Sequence, residues 1–212
     1  MKVIELHESV TESNDKDAEF LRNELTEKGI KLINVMSSPG AGKTTLLSRI
    51  IKDAPDPGAI AVIEADIDSD VDALSIGSLG VQAVQVHTDG MCHMDAGMTR
   101  TGIEALDLTG VNTIFLENVG NLICPAEFDT GAHFNLMILS VPEGDDKPLK
   151  YPLMFKESDI LAVTKTDALP AFDFDMDAFT ERVLKLNPNI KIFPVSAKTG
   201  NGMNELIECL LN

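Results

Sequence analysis

The chain has 212 residues, 44% of them hydrophobic, and 17 basic against 34 acidic side chains give a formal charge of −17. That length provides one domain with a sizeable core and too little chain for two ordinary ones. So negative a surface repels phosphate backbones, which removes nucleic acid from the expected partners. No run of about eighteen apolar residues is present to span a membrane. The acidity fits simple solubility, or a halophilic source, as well as any functional role. The first eight residues lack signal-peptide architecture, so a cytoplasmic location is expected. Three cysteines, an odd number, argue against a disulfide framework.

In chain order, residues 15–28 carry helical patterning, with Phe20, Leu21 and Leu25 apolar among charges, Ser13 or Asn14 as caps and Gly29 as the stop. Residues 1–30 are expected to form a helical appendage to a nucleotide domain spanning 31–212. Apolar strand-like runs follow at 31–36, 59–65, 81–87, 112–117, 134–141, 160–165 and 191–195. Helical runs alternate with them at 43–52, 95–107, 175–186 and 203–211, and 168–177 reads as an irregular loop. Strands apolar on both sides and alternating with helices predict an α/β fold. The expected core is a mainly parallel sheet of about seven strands with helices on both faces. Ligands of such sheets bind beyond the carboxyl ends of the strands.

The first strand leads into Ser37-Ser38-Pro39-Gly40-Ala41-Gly42-Lys43-Thr44-Thr45. Glycines at 40 and 42 let backbone N–H groups turn inward around phosphate oxygens, and the helix that follows adds its positive N-terminus. Lys43 is placed to reach the β- and γ-phosphates and the Thr44 hydroxyl to hold Mg²⁺. Ser37 stands where the usual pattern begins with glycine. The Gly-Lys-Thr triplet between a strand and a helix outweighs an ordinary glycine-rich turn, and the phosphate-binding loop predicts the P-loop NTPase fold.

Later strand ends carry matching chemistry. The second ends at Glu64-Ala65-Asp66, where an acidic switch residue would approach Mg²⁺ or the attacking water. The fourth ends in Glu117-Asn118-Val119-Gly120, which resembles the Asp-x-x-Gly switch of GTPases with Glu for Asp, Gly120 being placed to meet the γ-phosphate. Thr164-Lys165-Thr166-Asp167 resembles the Asn-Lys-x-Asp guanine motif: the Asp167 carboxylate can accept from guanine N1–H and the 2-amino group, whereas adenine offers no such donors. Lys165 would lie over the base. Ser196-Ala197-Lys198 resembles the last GTPase motif, where a backbone N–H meets guanine O6. Thr164 in place of Asn removes an amide that normally ties the base loop to the phosphate loop, which puts affinity in doubt. Asn121 follows Gly120 where a water-orienting glutamine is usual, so slow intrinsic GTP hydrolysis is expected.

Cys92-His93 follows the third strand and Cys124 lies four residues beyond Gly120. Two thiolates and an imidazole suit Zn²⁺, Ni²⁺ or Cu, provided that a turn at Gly90 lets Cys92 and His93 face one ion. Three ligands fall short of a closed tetrahedral site, which points to a metal shared across a homodimer. Cys209, inside the apolar pattern of the last helix, reads as a core residue. His87 and His133 read as structural or solvated.

The string 37–45 together with 87–96, 117–126 and 143–152 (Glu-Gly-Asp-Asp-Lys-Pro-Leu-Lys-Tyr-Pro) resembles the hydrogenase nickel-incorporation GTPases, the HypB family. The resemblance runs from about Leu32 to the C-terminus. It implies a GTPase of the signal-recognition and metal-chaperone class that dimerises with GTP. Such a protein would help deliver nickel to the large-subunit precursor of a [NiFe]-hydrogenase, with a zinc-binding partner of the HypA type. The N-terminal Cys-x-x-Cys-Gly-Cys or His-rich nickel segments of some members are absent, so high-affinity storage there is not expected. The urease-maturation GTPase carries a Cys-Pro-His motif that this chain lacks. Two other classes stand beside this reading: a P-loop small-molecule kinase or ligase with structural cysteines, and a metal-storage module with a vestigial nucleotide site. Asp167 counts against the first, and the Lys43–Thr44 pair against the second.

Overall fold

The computed structural model describes residues 6–66 and 71–212. Seven strands, β1 (Lys31–Ser37), β2 (Ile60–Asp66), β3 (Gln82–His87), β4 (Thr113–Glu117), β5 (Phe134–Ser140), β6 (Ile160–Thr164) and β7 (Lys191–Pro194), form one sheet. Their order is β3-β2-β4-β1-β5-β6-β7, and every pairing is parallel. The helices are α1 (Leu6–Glu27), α2 (Lys43–Asp53), α3 (Val71–Gly77), α4 (Ala96–Glu104), α5 (Lys147–Lys150), α6 (Pro152–Lys156), α7 (Met176–Leu186) and α8 (Met203–Leu211).

Alternation along β1 shows why both faces are covered. Ile33 and Val35 pack with Leu46, Leu47 and Ile50 of α2, Ile76 of α3 and Leu206 of α8. Leu32 faces the other way, with Leu21 and Leu25 of α1 and Ile103 of α4, and Met36 joins Phe155 of α6 and Phe179 of α7. The inner strands are buried on both faces, while edge strands β3 and β7 stay half-exposed. β1 is therefore central, with neighbours β4 and β5 whose carboxyl ends flank the phosphate loop.

Several elements depart from the sequence reading. Helix α1 starts ahead of Ser13 and Asn14, so neither caps it. Asn14 lies within the helix and its side chain leaves for Asp129 O and Ala96 N. Gly29 does end α1, at φ +69°, where a side chain would be strained. Leu21 and Leu25 are each 1% exposed, so α1 is bound to the sheet by burial worth about 1.5–3 kcal/mol per leucine. Helix α4 is shorter than 95–107: Asp95 caps it by accepting from Met98 N at 2.8 Å, and it closes in a tight turn at Ala105. β6 stops at Thr164 because Lys165 takes a left-handed conformation at φ +58°. Helices α3, α5 and α6 escaped the sequence reading, being too short to show a helical period. The stretch 168–177 is not uniformly irregular, since a 3-10 turn occupies Thr166–Ala171 and α7 begins at Met176, capped by Asp175. Among the described residues no helix is long and apolar enough to cross a membrane.

Candidate nucleotide and metal site

The phosphate loop bends where its glycines require it, Gly40 at φ +76° and Gly42 at φ +100°. The latter leads straight into α2, whose first residues are Lys43, Thr44 and Thr45. Lys43 Nζ donates to Ser37 Oγ at 3.3 Å, so the serine standing for glycine holds the lysine at the loop. Gly120 lies against the same loop; a Cβ there would come 3.1 Å from the Pro39 backbone. The switch segment is pinned to β1 on either side of Gly120, by Asn118 N to Val35 O at 3.0 Å and Asn121 N to Ser37 O at 2.8 Å. The Asn121 side chain is occupied by its own loop, accepting from Ile123 N at 2.8 Å.

Thr44 Oγ1 donates to Glu117 Oε1 at 2.9 Å, across the gap between α2 and the exit of β4. A hydroxyl and a carboxylate in mutual contact make a hard oxygen donor set of the kind that suits Mg²⁺. Asp66 stands at the end of β2, half-buried and paired in register with His87, which is exposed.

Lys165, Asp167 and Lys198 line an apolar-walled cleft of about 250 Å³ with Ala41, Thr45 and Ala197. Asp167 Oδ1 accepts from Ser196 Oγ at 2.7 Å, and Lys198 Nζ lies 3.8 Å from Oδ2. Lys165 Nζ donates to Gly40 O at 2.8 Å, which lays its stem along the glycine loop. The tie thought lost with Thr164 is present: its hydroxyl donates to Ala41 O at 3.0 Å. A hydroxyl on the last residue of β6 reaches the phosphate loop directly, so an amide is not needed there.

On the other side of the switch, one donor atom each from Cys92, His93 and Cys124 lies within 4.8 Å of the others. The two sulfurs are 2.7 Å apart, and His93 Nδ1 is 3.9 Å from Cys92 Sγ. Both thiols are half-buried, whereas His93 is 6% exposed with its Nε2 buried and without a hydrogen-bond partner. Burial holds the imidazole below its ordinary pKa against the pull of Asp95 and Glu127, which favours the neutral form that ligates metal. The Cys92 thiol beside Cys124, with burial adding to it, raises the Cys124 pKa. Two thiols beside an imidazole make a soft donor set of the kind that Zn²⁺, Ni²⁺ or Cu takes once the protons are displaced. Cys209 is partly buried against the core, with Lys191 Nζ 3.9 Å from its sulfur. His133 is tied into the scaffold, its Nδ1 accepting from Leu32 N at 3.0 Å.

Supporting residues went unread in the sequence. Phe128 stacks on His93 at 3.8 Å between centroids and 16° between planes. Asn14 joins the segments that follow Cys92–His93 and Cys124, accepting from Ala96 N at 3.0 Å and donating to Asp129 O at 2.8 Å. Glu143 accepts from Ser38 Oγ of the phosphate loop and, through its other oxygen, from Ser140 N at 2.7 Å. Only the last had a local signal, the Ser140-x-x-Glu143 spacing of a capping box.

Residues 31–194 match the model of the CobW/HypB/UreG nucleotide-binding domain. The hydrogenase maturation factor HypB of Azotobacter chroococcum mcd 1 is 43% identical over 204 residues, which is 96% of this chain and 67% of that protein. The hydrogenase/urease maturation factor HypB of Helicobacter hepaticus is 39% identical, over 93% of this chain and 82% of its own length. The crystal structure of Helicobacter pylori HypB in complex with nickel superposes with a TM-score of 0.89 at 35% identity, covering 94% of each chain.

Proposed function

Since this chain belongs to the HypB family, within the CobW/HypB/UreG nucleotide-binding proteins, we propose that it is a GTP-hydrolysing metal chaperone for nickel insertion during [NiFe]-hydrogenase maturation. The observation that carries this reading is the position of Cys124, four residues past Gly120, in a cluster with Cys92 and His93. A nucleotide switch and a metal cluster thus share one backbone segment. The nickel-bound Helicobacter pylori relative supports nickel as the cargo, with Zn²⁺ as a competing occupant. The nucleotide domain is taken as 31–212, with 1–30 attached to it, in a cytoplasmic protein.

In this reading Lys43 reaches the β- and γ-phosphates, backbone N–H groups of residues 40–45 surround them, and the Gly120 N–H meets the γ-phosphate. Thr44, Glu117 and Asp66 hold Mg²⁺, which offsets the charge that develops on the phosphate oxygens. Asp167 reads guanine, Lys165 covers the base, and the Ser196–Ala197–Lys198 backbone meets O6. Asn121, engaged in its own turn, does not stand in for the water-orienting glutamine, and turnover is slow. Three metal ligands per chain favour a site completed by a second copy in the GTP state. The receiving hydrogenase large-subunit precursor and a HypA-type zinc protein are the expected partners.

Competition of GTP and ATP for the chain, with and without Ni²⁺, tests the reading. GTP should win by a wide margin. Asp167→Asn should cost about 1–3 kcal/mol of GTP affinity, because the paired guanine donors lose an ionic acceptor. Equal affinity for ATP and GTP would leave a small-molecule kinase or ligase as the better reading.

A further inference from the structure

Glu117 and Asn118 are consecutive residues at the exit of β4, and successive side chains of an extended chain point to opposite faces of a sheet. Glu117 faces α2 and accepts the Thr44 hydroxyl. Asn118 points the other way and is completely buried. Its Oδ1 accepts from Met94 N at 3.1 Å and from Val119 N at 2.9 Å. Met94 directly follows Cys92 and His93, so one side chain fastens the loop leaving β3 to the segment leaving β4.

The orientation of that amide is set from a distance. The Glu157 carbonyl can only accept, so Asn135 turns its Nδ2 toward it at 2.8 Å and presents Oδ1 to Asn34. Asn34 donates to that oxygen at 3.0 Å, and its own Oδ1 accepts from Asn118 Nδ2 at 3.0 Å. Asn118 Oδ1 is then left for the two backbone N–H groups, which can only donate. Turning any one amide over would set like against like at both of its ends, so the series has a single direction.

We propose that Asn118 is a positioning residue through which the bound nucleotide sets the geometry of the Cys92–His93 loop. The proposal rests on the reading of the chain as a nucleotide-switched metal chaperone. Thr44 and Glu117 would hold the Mg²⁺ of a bound nucleotide, and losing their mutual bond would let the Glu117–Asn118 exit of β4 readjust. Asn118 would carry that readjustment to Met94, because leaving buried amide and N–H groups unpaired costs more than moving an adjacent loop. The His93 imidazole and the Cys92 thiol would then take different spacings toward Cys124 in the two nucleotide states, which would give those states different metal affinities.

The test uses the full chain, wild type and Asn118→Ala, loaded with GDP or with a non-hydrolysable GTP analogue and titrated with Ni²⁺. The wild-type affinities in the two states should differ by about fivefold or more, and Asn118→Ala should bring their ratio to about one while GDP affinity measured without nickel stays unchanged. A wild-type ratio of one overturns the switched-chaperone reading and this proposal with it. A wild-type ratio that survives in folded Asn118→Ala overturns the proposal alone. If the variant fails to fold, hydrogen exchange at the wild-type Met94 amide decides. Protection should change by about tenfold between the two nucleotide states if Asn118 grips it differently, and equal protection beside a wild-type affinity ratio above one rejects the proposal.

Discussion

The phosphate loop and the metal loops lie at the same end of the sheet but are built in opposite ways. Gly40, Gly42, Lys43 and Thr44 come from one contiguous stretch, shaped by glycine conformations and the start of α2. Cys92 and His93 leave β3, Cys124 follows β4, and β2 separates those strands in the sheet. Their approach depends on anchors spread along the chain: Phe128 against the imidazole, Asn14 of α1 between residues 96 and 129, and Asn118 beneath Met94. A contiguous loop is sensitive to changes within itself. A composite one is sensitive to changes far from its ligands.

The largest expected effect falls on the composite half. Cys124→Ala should weaken Ni²⁺ binding by more than about 100-fold, beyond the loss that follows removal of an outer-shell partner. GTP affinity measured without metal should stay the same, by calorimetry on the same preparation. If GTP binding collapsed as well, the two halves would be one unit and the contrast would be void.

The converse change is Lys43→Ala, which should cost about 1.5–3 kcal/mol of GDP and GTP affinity through the lost charged contact. Nickel binding in the absence of nucleotide should not change. Asn14→Ala sharpens the comparison further, because the residue touches neither ligand. It should weaken Ni²⁺ binding by about tenfold, as outer-shell losses do, and leave GDP affinity alone. An unaltered nickel affinity there would show that α1 does not steady the metal loops.

The smallest effect concerns pH and the scaffold of the composite half. His133 accepts from Leu32 N and meets Thr26 Oγ1 at 3.0 Å, joining β1 to α1. Burial, and then the Arg22 charge, hold its pKa below the ordinary value. Above about pH 6.5 the ring is neutral in folded and unfolded chains alike. As pH falls below that value the unfolded chain takes up the proton first, so stability falls toward the lower folded pKa. Melting temperature should therefore drop more between about pH 7.5 and 5.5 in the wild type than in His133→Gln.

Much of this was legible in the order of residues. Gly40 to Thr45 and the acidic or Ser-Ala-Lys strand ends each form a local pattern with a local physical cause. Two-sided apolar runs such as 31–36 and 160–165 announced a covered parallel sheet. The short helices α5 and α6 were not legible, since four or five residues cannot display a period of 3.6. Nor was the part played by Thr164, because sequence shows a missing amide but not the hydroxyl that reaches Ala41.

The sequence by itself determined the glycine-bearing strand–loop–helix at residues 37–45, the alternation that demands a doubly covered sheet, and which cysteine and histidine side chains are candidates for a metal. Those depend on neighbours in the chain, where backbone conformation and periodicity act. Only the tertiary structure decided that β3 and β4 bring residue 92 to residue 124, that α1 braces both segments, and that the amides of Asn34, Asn118 and Asn135 form one directed series. Each of these joins residues many positions apart, and no local preference of the chain encodes which distant donor meets which acceptor once the strands take their order.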